Sequence, residues 1–189
     1  MAYATLTDLK ARLDITVSTW DTVLQDALDW AQKWVDVYCG GRTFEAGTFT
    51  KYYDSDAQDP DDGQLLVVDD DLLTVTGLLN GDDDATILGS ATYNLWPRNT
   101  SPKWGIRLKS DYAWEWDEDC FVAVTGTWGY TATPDGLVQG VTLRLAEWQY
   151  RNKDLIETTT PYSESIVLKK PMSFPSEVET DLRPYRRLA

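Results

Sequence analysis

The chain has 189 residues, 31 acids against 17 bases, no histidine and a formal net charge of −14. That length suffices for one domain with a core, or a domain plus an arm. Without histidine, a Ser-His-Asp or Cys-His site within the chain is excluded, and the commonest metal ligand is missing.

The charge is uneven: residues 1–136 hold 24 acids against 9 bases, and residues 137–189 hold 7 against 8. An acidic body repels duplex DNA rather than gripping it. No apolar run approaches the roughly 18 residues of a membrane span. The first residues lack the basic start and apolar stretch of a signal peptide, so synthesis in a cytoplasm is expected. Cys39 and Cys120 are too few and too far apart for a disulfide framework and read as small buried side chains.

In chain order, Thr5 and Asp8 have capping-box spacing, and Leu6, Leu9 and Leu13 share one face, which predicts a helix over 5–13. Ser18 and Asp21 repeat that spacing. Trp20, Leu24, Ala27, Leu28, Ala31, Val35 and Tyr38 then recur at helical intervals up to Gly40-Gly41, predicting a helix over 18–39. From 48 to 130 the period changes. Phe49–Tyr53, Gln64–Val68, Leu72–Leu79, Tyr93–Trp96, Ile106–Lys109 and Phe121–Thr125 read as strands of an antiparallel sheet, with Asn80-Gly81 as the strongest turn signal. Thr133-Pro134-Asp135 restarts a helix, with Thr133 as the cap and Pro134 at its first position, ending near Asn152. The expected fold is α+β: a small helical bundle with an inserted antiparallel sheet, a body over 1–153, and an extended C-terminal arm over 154–189.

The arm carries Pro161, Pro171, Pro175 and Pro184 among apolar residues, with a short helix expected near Pro175–Leu182. Ile166, Val167, Leu168, Met172, Phe174, Leu182 and Tyr185 are too apolar for a solvated tail, so they need a partner surface in this subunit or another. Lys169, Lys170, Arg186 and Arg187 sit among them, a mixture that favours a protein groove over DNA.

Eleven aspartates and no base lie between Asp54 and Asp84. They include Asp69-Asp70-Asp71 and Asp82-Asp83-Asp84, both expected in turns. The EF-hand pattern fails, because position 6 counted from Asp54 is Asp59 and position 12 is Leu65. Solvated loops are the expectation, against an irregular divalent-cation site or a carboxylate pair. Trp96, Trp104, Trp114, Trp116 and Trp128 fall in the sheet region. Packing in a core or subunit interface is set against a sugar-binding face. No phosphate loop, dinucleotide fingerprint, zinc spacing or nucleophile elbow is present.

Several segments in this order carry a likeness. They are Tyr38-Cys39-Gly40-Gly41-Arg42-Thr43-Phe44, Lys51-Tyr52-Tyr53-Asp54, Tyr93-Asn94-Leu95-Trp96-Pro97, and Val124-Thr125-Gly126-Thr127-Trp128-Gly129-Tyr130 followed by Pro134. Over roughly residues 3–153 the chain resembles the head-tail connector, or head-completion adaptor, proteins of siphophage type. Compact, mostly helical members of that family lack so large a sheet insert.

The resemblance implies a non-enzymatic virion protein without cofactor or metal. It would form a ring of copies, usually twelve, beneath the portal protein. Such a ring extends the DNA channel, lets the genome pass without specific binding, and receives the next neck or tail protein. Assembly would take place in the host bacterial cytoplasm, with no membrane involved. On this expectation Lys169, Lys170, Met172, Phe174, Leu182, Tyr185, Arg186 and Arg187 contact the portal or another partner, and Asp82, Asp83 and Asp84 face the channel. The competing readings are a carbohydrate-binding module of a host-adhesion device, a carboxylate enzyme, and another neck or tail-completion protein.

Overall fold

The computed structural model describes residues 3–81, 86–116, 121–153 and 173–187. It divides into two units, one of residues 1–41 with 134–189 and one of residues 42–133.

The first unit is helical: α1 (Leu6–Leu13), α2 (Asp21–Tyr38), α3 (Gly136–Asn152) and α4 (Glu177–Leu182). The Thr5 hydroxyl accepts from the Asp8 amide at 3.1 Å, and the Asp8 carboxylate takes the Thr5 amide at 3.3 Å, so the box at α1 is reciprocal. Ser18 does not cap α2. Its carbonyl accepts from the Asp21 amide at 3.1 Å in a turn, and Trp20 forms the boundary without a side-chain cap. The helix therefore begins three residues later than the spacing predicts. At α3 the cap is Asp135 rather than Thr133. Its Oδ1 accepts from the amides of Leu137 at 3.1 Å and Val138 at 2.9 Å, and Pro134 precedes the cap.

Leu24, Ala27, Leu28, Ala31 and Val35 of α2 are buried against α3, whose own buried face is Val138, Val141, Thr142, Leu145 and Ala146. The Thr142 hydroxyl is satisfied within the helix by the Val138 carbonyl at 2.8 Å. Among the described residues no helix is long and apolar enough to cross a membrane.

The second unit is an antiparallel sheet of β1 (Gly47–Tyr53), β2 (Leu65–Asn80), β3 (Thr86–Ile87), β4 (Tyr93–Trp96), β5 (Lys103–Leu108) and β6 (Val122–Trp128). Strand order is β1-β6-β2-β5-β4, with β3 on β2. The sequence predicts two strands on either side of Asp69-Asp70-Asp71. The structure instead runs one 16-residue strand through them. Residues 65–67 of β2 pair with β5, the pairing with β6 runs from Leu72, and the register shifts between. A strand tolerates three successive aspartates here because each has a cation: Asp69 and Asp70 meet Lys51, and the buried Asp71 meets Arg42 at 3.0 Å.

The core of this unit gathers Leu66, Val68, Leu72, Leu78, Ile106, Leu108, Val122, Val124 and Trp128. Two glycines of the Gly126-Thr127-Trp128-Gly129 stretch have a steric cause. A Cβ on Gly126 would lie 2.2 Å from the Thr74 carbonyl oxygen of β2. Gly129 has φ of +138° and a Cβ there would lie 2.7 Å from the Glu45 carbonyl oxygen. Asn80, expected only as a turn residue, is buried. Its amide bridges the Ala113 carbonyl at 3.0 Å and the Glu115 amide at 3.1 Å.

Candidate interaction site

The described end of the chain, residues 173–187, folds back onto α2 and α3. Trp30, Trp34 and Tyr38 are spaced by four on α2 and so form a stripe beside its buried face. Trp148 of α3 stacks on Trp30 with ring centroids 5.9 Å apart. Phe174 enters between Trp148, at 5.3 Å, and Trp34, at 5.2 Å. Trp34 in turn stacks on Tyr38 at 5.0 Å, and the Arg186 guanidinium lies 5.7 Å from the Tyr38 ring.

Polar groups hold the same segment. The Trp148 indole N–H donates to the Ser173 carbonyl at 3.1 Å, and the Tyr38 hydroxyl donates to the Glu179 carbonyl at 3.0 Å. Arg144 pairs with Asp181. The Tyr185 hydroxyl donates to Oδ2 of Asp135, while Oδ1 of that carboxylate caps α3. The Arg187 amide donates to the Cys39 carbonyl at 3.1 Å. Val178 and Leu182 of α4 are fully buried.

Of the residues expected at a partner surface, Phe174, Leu182, Tyr185 and Arg187 are thus engaged within this unit, and Arg186 is exposed over Tyr38. Lys169, Lys170 and Met172 lie outside the described residues, as do Asp82, Asp83, Asp84 and Cys120. Trp30, Trp34 and Trp148 were not singled out from sequence as a receiving surface. Their signal was present in the i, i+4, i+8 spacing of Trp30, Trp34 and Tyr38, one step around the wheel from the apolar stripe.

In the sheet unit, several of the acids are held by named partners. Lys51 Nζ lies 2.9 Å from Asp69 and 2.6 Å from Asp70, and the Tyr53 hydroxyl donates to Asp69 at 2.8 Å. Burial alone would raise the Asp69 pKa, but hydrogen bonds from Lys51 and Tyr53 outweigh it and hold the carboxyl below its usual value. Burial, and then the bond to Asp69, push the Tyr53 phenol up. Asp62 pairs with Arg107 at 3.1 Å, and Asp59 accepts from the amides of Asp61 and Asp62 in a turn. Among the described residues no three His, Cys, Asp or Glu side chains gather as a metal ligand set.

The tryptophans divide. Trp114 and Trp128 are in the core, Trp116 packs against it, and Trp104 is exposed. The exposed apolar side chains of this unit instead include Tyr52, Val67, Leu79 and Ile87. Tyr52, Ala123, Leu79 and Ile87 form one register row across β1, β6, β2 and β3.

No protein-family model and no curated protein matches the chain. Solved structures do. One is a chain of the neck of an empty gene transfer agent particle computed with C6 symmetry, with TM-score 0.64 and 14% identity, covering 99% of this chain and 91% of that one. A second is from the neck of the native particle computed with C12 symmetry, with TM-score 0.64, 14% identity and coverage of 97% and 88%. A third, from the virion of the native particle, has TM-score 0.62, 14% identity and coverage of 99% and 91%. The chain therefore shares its fold, over nearly its whole length, with chains from the neck and virion of a phage-like particle.

Proposed function

We propose that this chain is a structural, non-enzymatic neck subunit of a phage-like particle, an adaptor that forms a ring, with twelve copies as the expected number, beneath the portal. The observation that carries the reading is the shared fold over 99% of the chain with a neck chain of a gene transfer agent particle. The C12 symmetry of a related neck supports a closed ring of repeated heterologous contacts. On this reading the acidic body, with Asp82, Asp83 and Asp84, borders the DNA channel and lets the genome slide. The end of the chain contacts the portal or an adjacent copy, through Lys169, Lys170 and Met172 and through the exposed side of the docked segment at Arg186. The next neck or tail protein would sit on the opposite rim. Assembly takes place in the host cytoplasm and the product resides at the head-tail interface of the virion.

Electron microscopy of the chain mixed with the portal protein of its own particle tests this. A new ring of density beneath the portal, weakened by Arg186→Glu, is expected. Absence of added density, with the chain missing from the neck of intact particles, would overturn the reading.

A further inference from the structure

β1 pairs with β6 alone, so its other edge is free of strand pairing among the described residues. Along that edge Lys51 and Tyr53 of β1 reach Asp69 and Asp70 of β2, yet no strand ladder joins β1 to β2 among the described residues. Beside this seam opens a cleft of about 580 Å³. Tyr52 and Val67, 66% and 39% exposed, supply its apolar surface. Asp54, Asp56, Asp59 and Asp69 line it, and no base does. A free edge with exposed apolar side chains and one sign of charge is a template for an extended basic segment.

One stretch of this chain has that chemistry. Ser165-Ile166-Val167-Leu168-Lys169-Lys170 puts two β-branched residues and a leucine directly before two lysines. It lies between Lys153 and Ser173, which both belong to the helical unit. At about 3.5 Å per residue, Lys170 stays within about 11 Å of Ser173 and Ser165 within about 28 Å, so the stretch can reach a molecule packed directly beside the helical unit.

We infer that residues 165–170 of one copy add to the β1 edge of a second copy, with Lys169 and Lys170 among the cleft acids and the aliphatic residues against Tyr52 and Val67. This rests on the ring reading, because it makes the seam a link between neighbouring subunits. It leaves Arg186 for the portal.

The test is a fluorescein-labelled peptide of residues 161–172 titrated into the full chain and followed by anisotropy. Saturable binding is expected. Reversing both lysines in the peptide, or introducing Asp54→Lys with Asp56→Lys in the protein, should each weaken it about tenfold. Tyr52→Ser, an exposed position, should weaken it without loss of fold. No binding up to about 1 mM, or binding indifferent to all three changes, overturns the inference. Binding that appears only when the chain's own Lys169 and Lys170 are reversed shows the cleft already filled by residues 165–170, and if light scattering then finds the unreversed chain monomeric, the segment lies in its own cleft and the second-copy assignment is overturned. The assay needs no particle, so its failure speaks against the seam, whereas absence from the neck speaks against the ring.

Discussion

The helical unit and the sheet unit differ in what covers one apolar surface of each. Around α2 and α3, the rings of Trp30, Trp34, Tyr38 and Trp148 are covered by the chain itself, through Phe174 and α4. In the sheet unit, the polar groups are the ones satisfied internally, while Tyr52, Val67, Leu79 and Ile87 stay in solvent. The difference teaches where to look for partners. A surface already covered by its own chain end contributes stability, and an exposed apolar edge beside a cleft that acids line and no base lines is available for contact.

The largest expected effect tests whether the sheet unit depends on its charge pairs. Asp71→Ala leaves Arg42 without its buried carboxylate and is expected to cost about 3 kcal/mol. Denaturant unfolding followed by intrinsic tryptophan fluorescence would measure it. Next comes the clasp. Leu182→Ala opens a cavity where the side chain is fully buried and should cost about 2–3 kcal/mol. Hydrogen exchange should then rise first at residues 176–187. Uniform exchange with unchanged stability would mean that the clasp contributes nothing. On the exposed row, Tyr52→Ser with Ile87→Ser should change stability by less than about 0.5 kcal/mol each. A larger loss in thermal unfolding would show that this row is already packed and would erase the contrast between the units.

The smallest effect is a pH dependence. Burial raises the Glu147 pKa, but hydrogen bonds from Arg12 and Arg151 outweigh it and hold the value below the usual 4.5. A carboxyl depressed in the folded state adds stability above its ordinary pKa and loses it as pH falls through the folded one. Asp36 goes the other way. Burial raises it above 3.8 despite the bond from Tyr3 and the charge of Lys33, so its contribution falls as pH rises through its folded value. Asp36→Asn should therefore flatten the stability profile on the neutral side, and Glu147→Gln on the acid side. Unchanged urea midpoints across that range in both variants would count against these environments.

Much of the fold was legible because local signals agreed with tertiary needs. The capping box of Thr5 and Asp8, the apolar period of α2 and the β-branched or aromatic runs of β1, β4 and β6 each point to the element that forms. The misplacements have physical causes. Ser18 and Asp21 have the spacing of a box, but the backbone spends Ser18 in a turn. Thr133 looks like a cap, but the Asp135 carboxylate reaches two amides and takes the position. The site was less legible. Spacing alone marks Trp30, Trp34 and Tyr38 as a stripe, and says nothing of what lies on it.

By itself, the sequence determined the alternation of helix and strand, the acidic body and the absence of histidine chemistry. These depend on residue type and near-neighbour spacing, which local sterics and solvation read directly. Only the tertiary structure decided that Asp69-Asp70-Asp71 is strand rather than turn, because the cations that neutralise it, Lys51 and Arg42, come from distant parts of the chain. Only it decided that Phe174, Leu182 and Tyr185 meet their own helices, because those contacts join residues some 25 to 140 positions apart, a separation that no local pattern encodes.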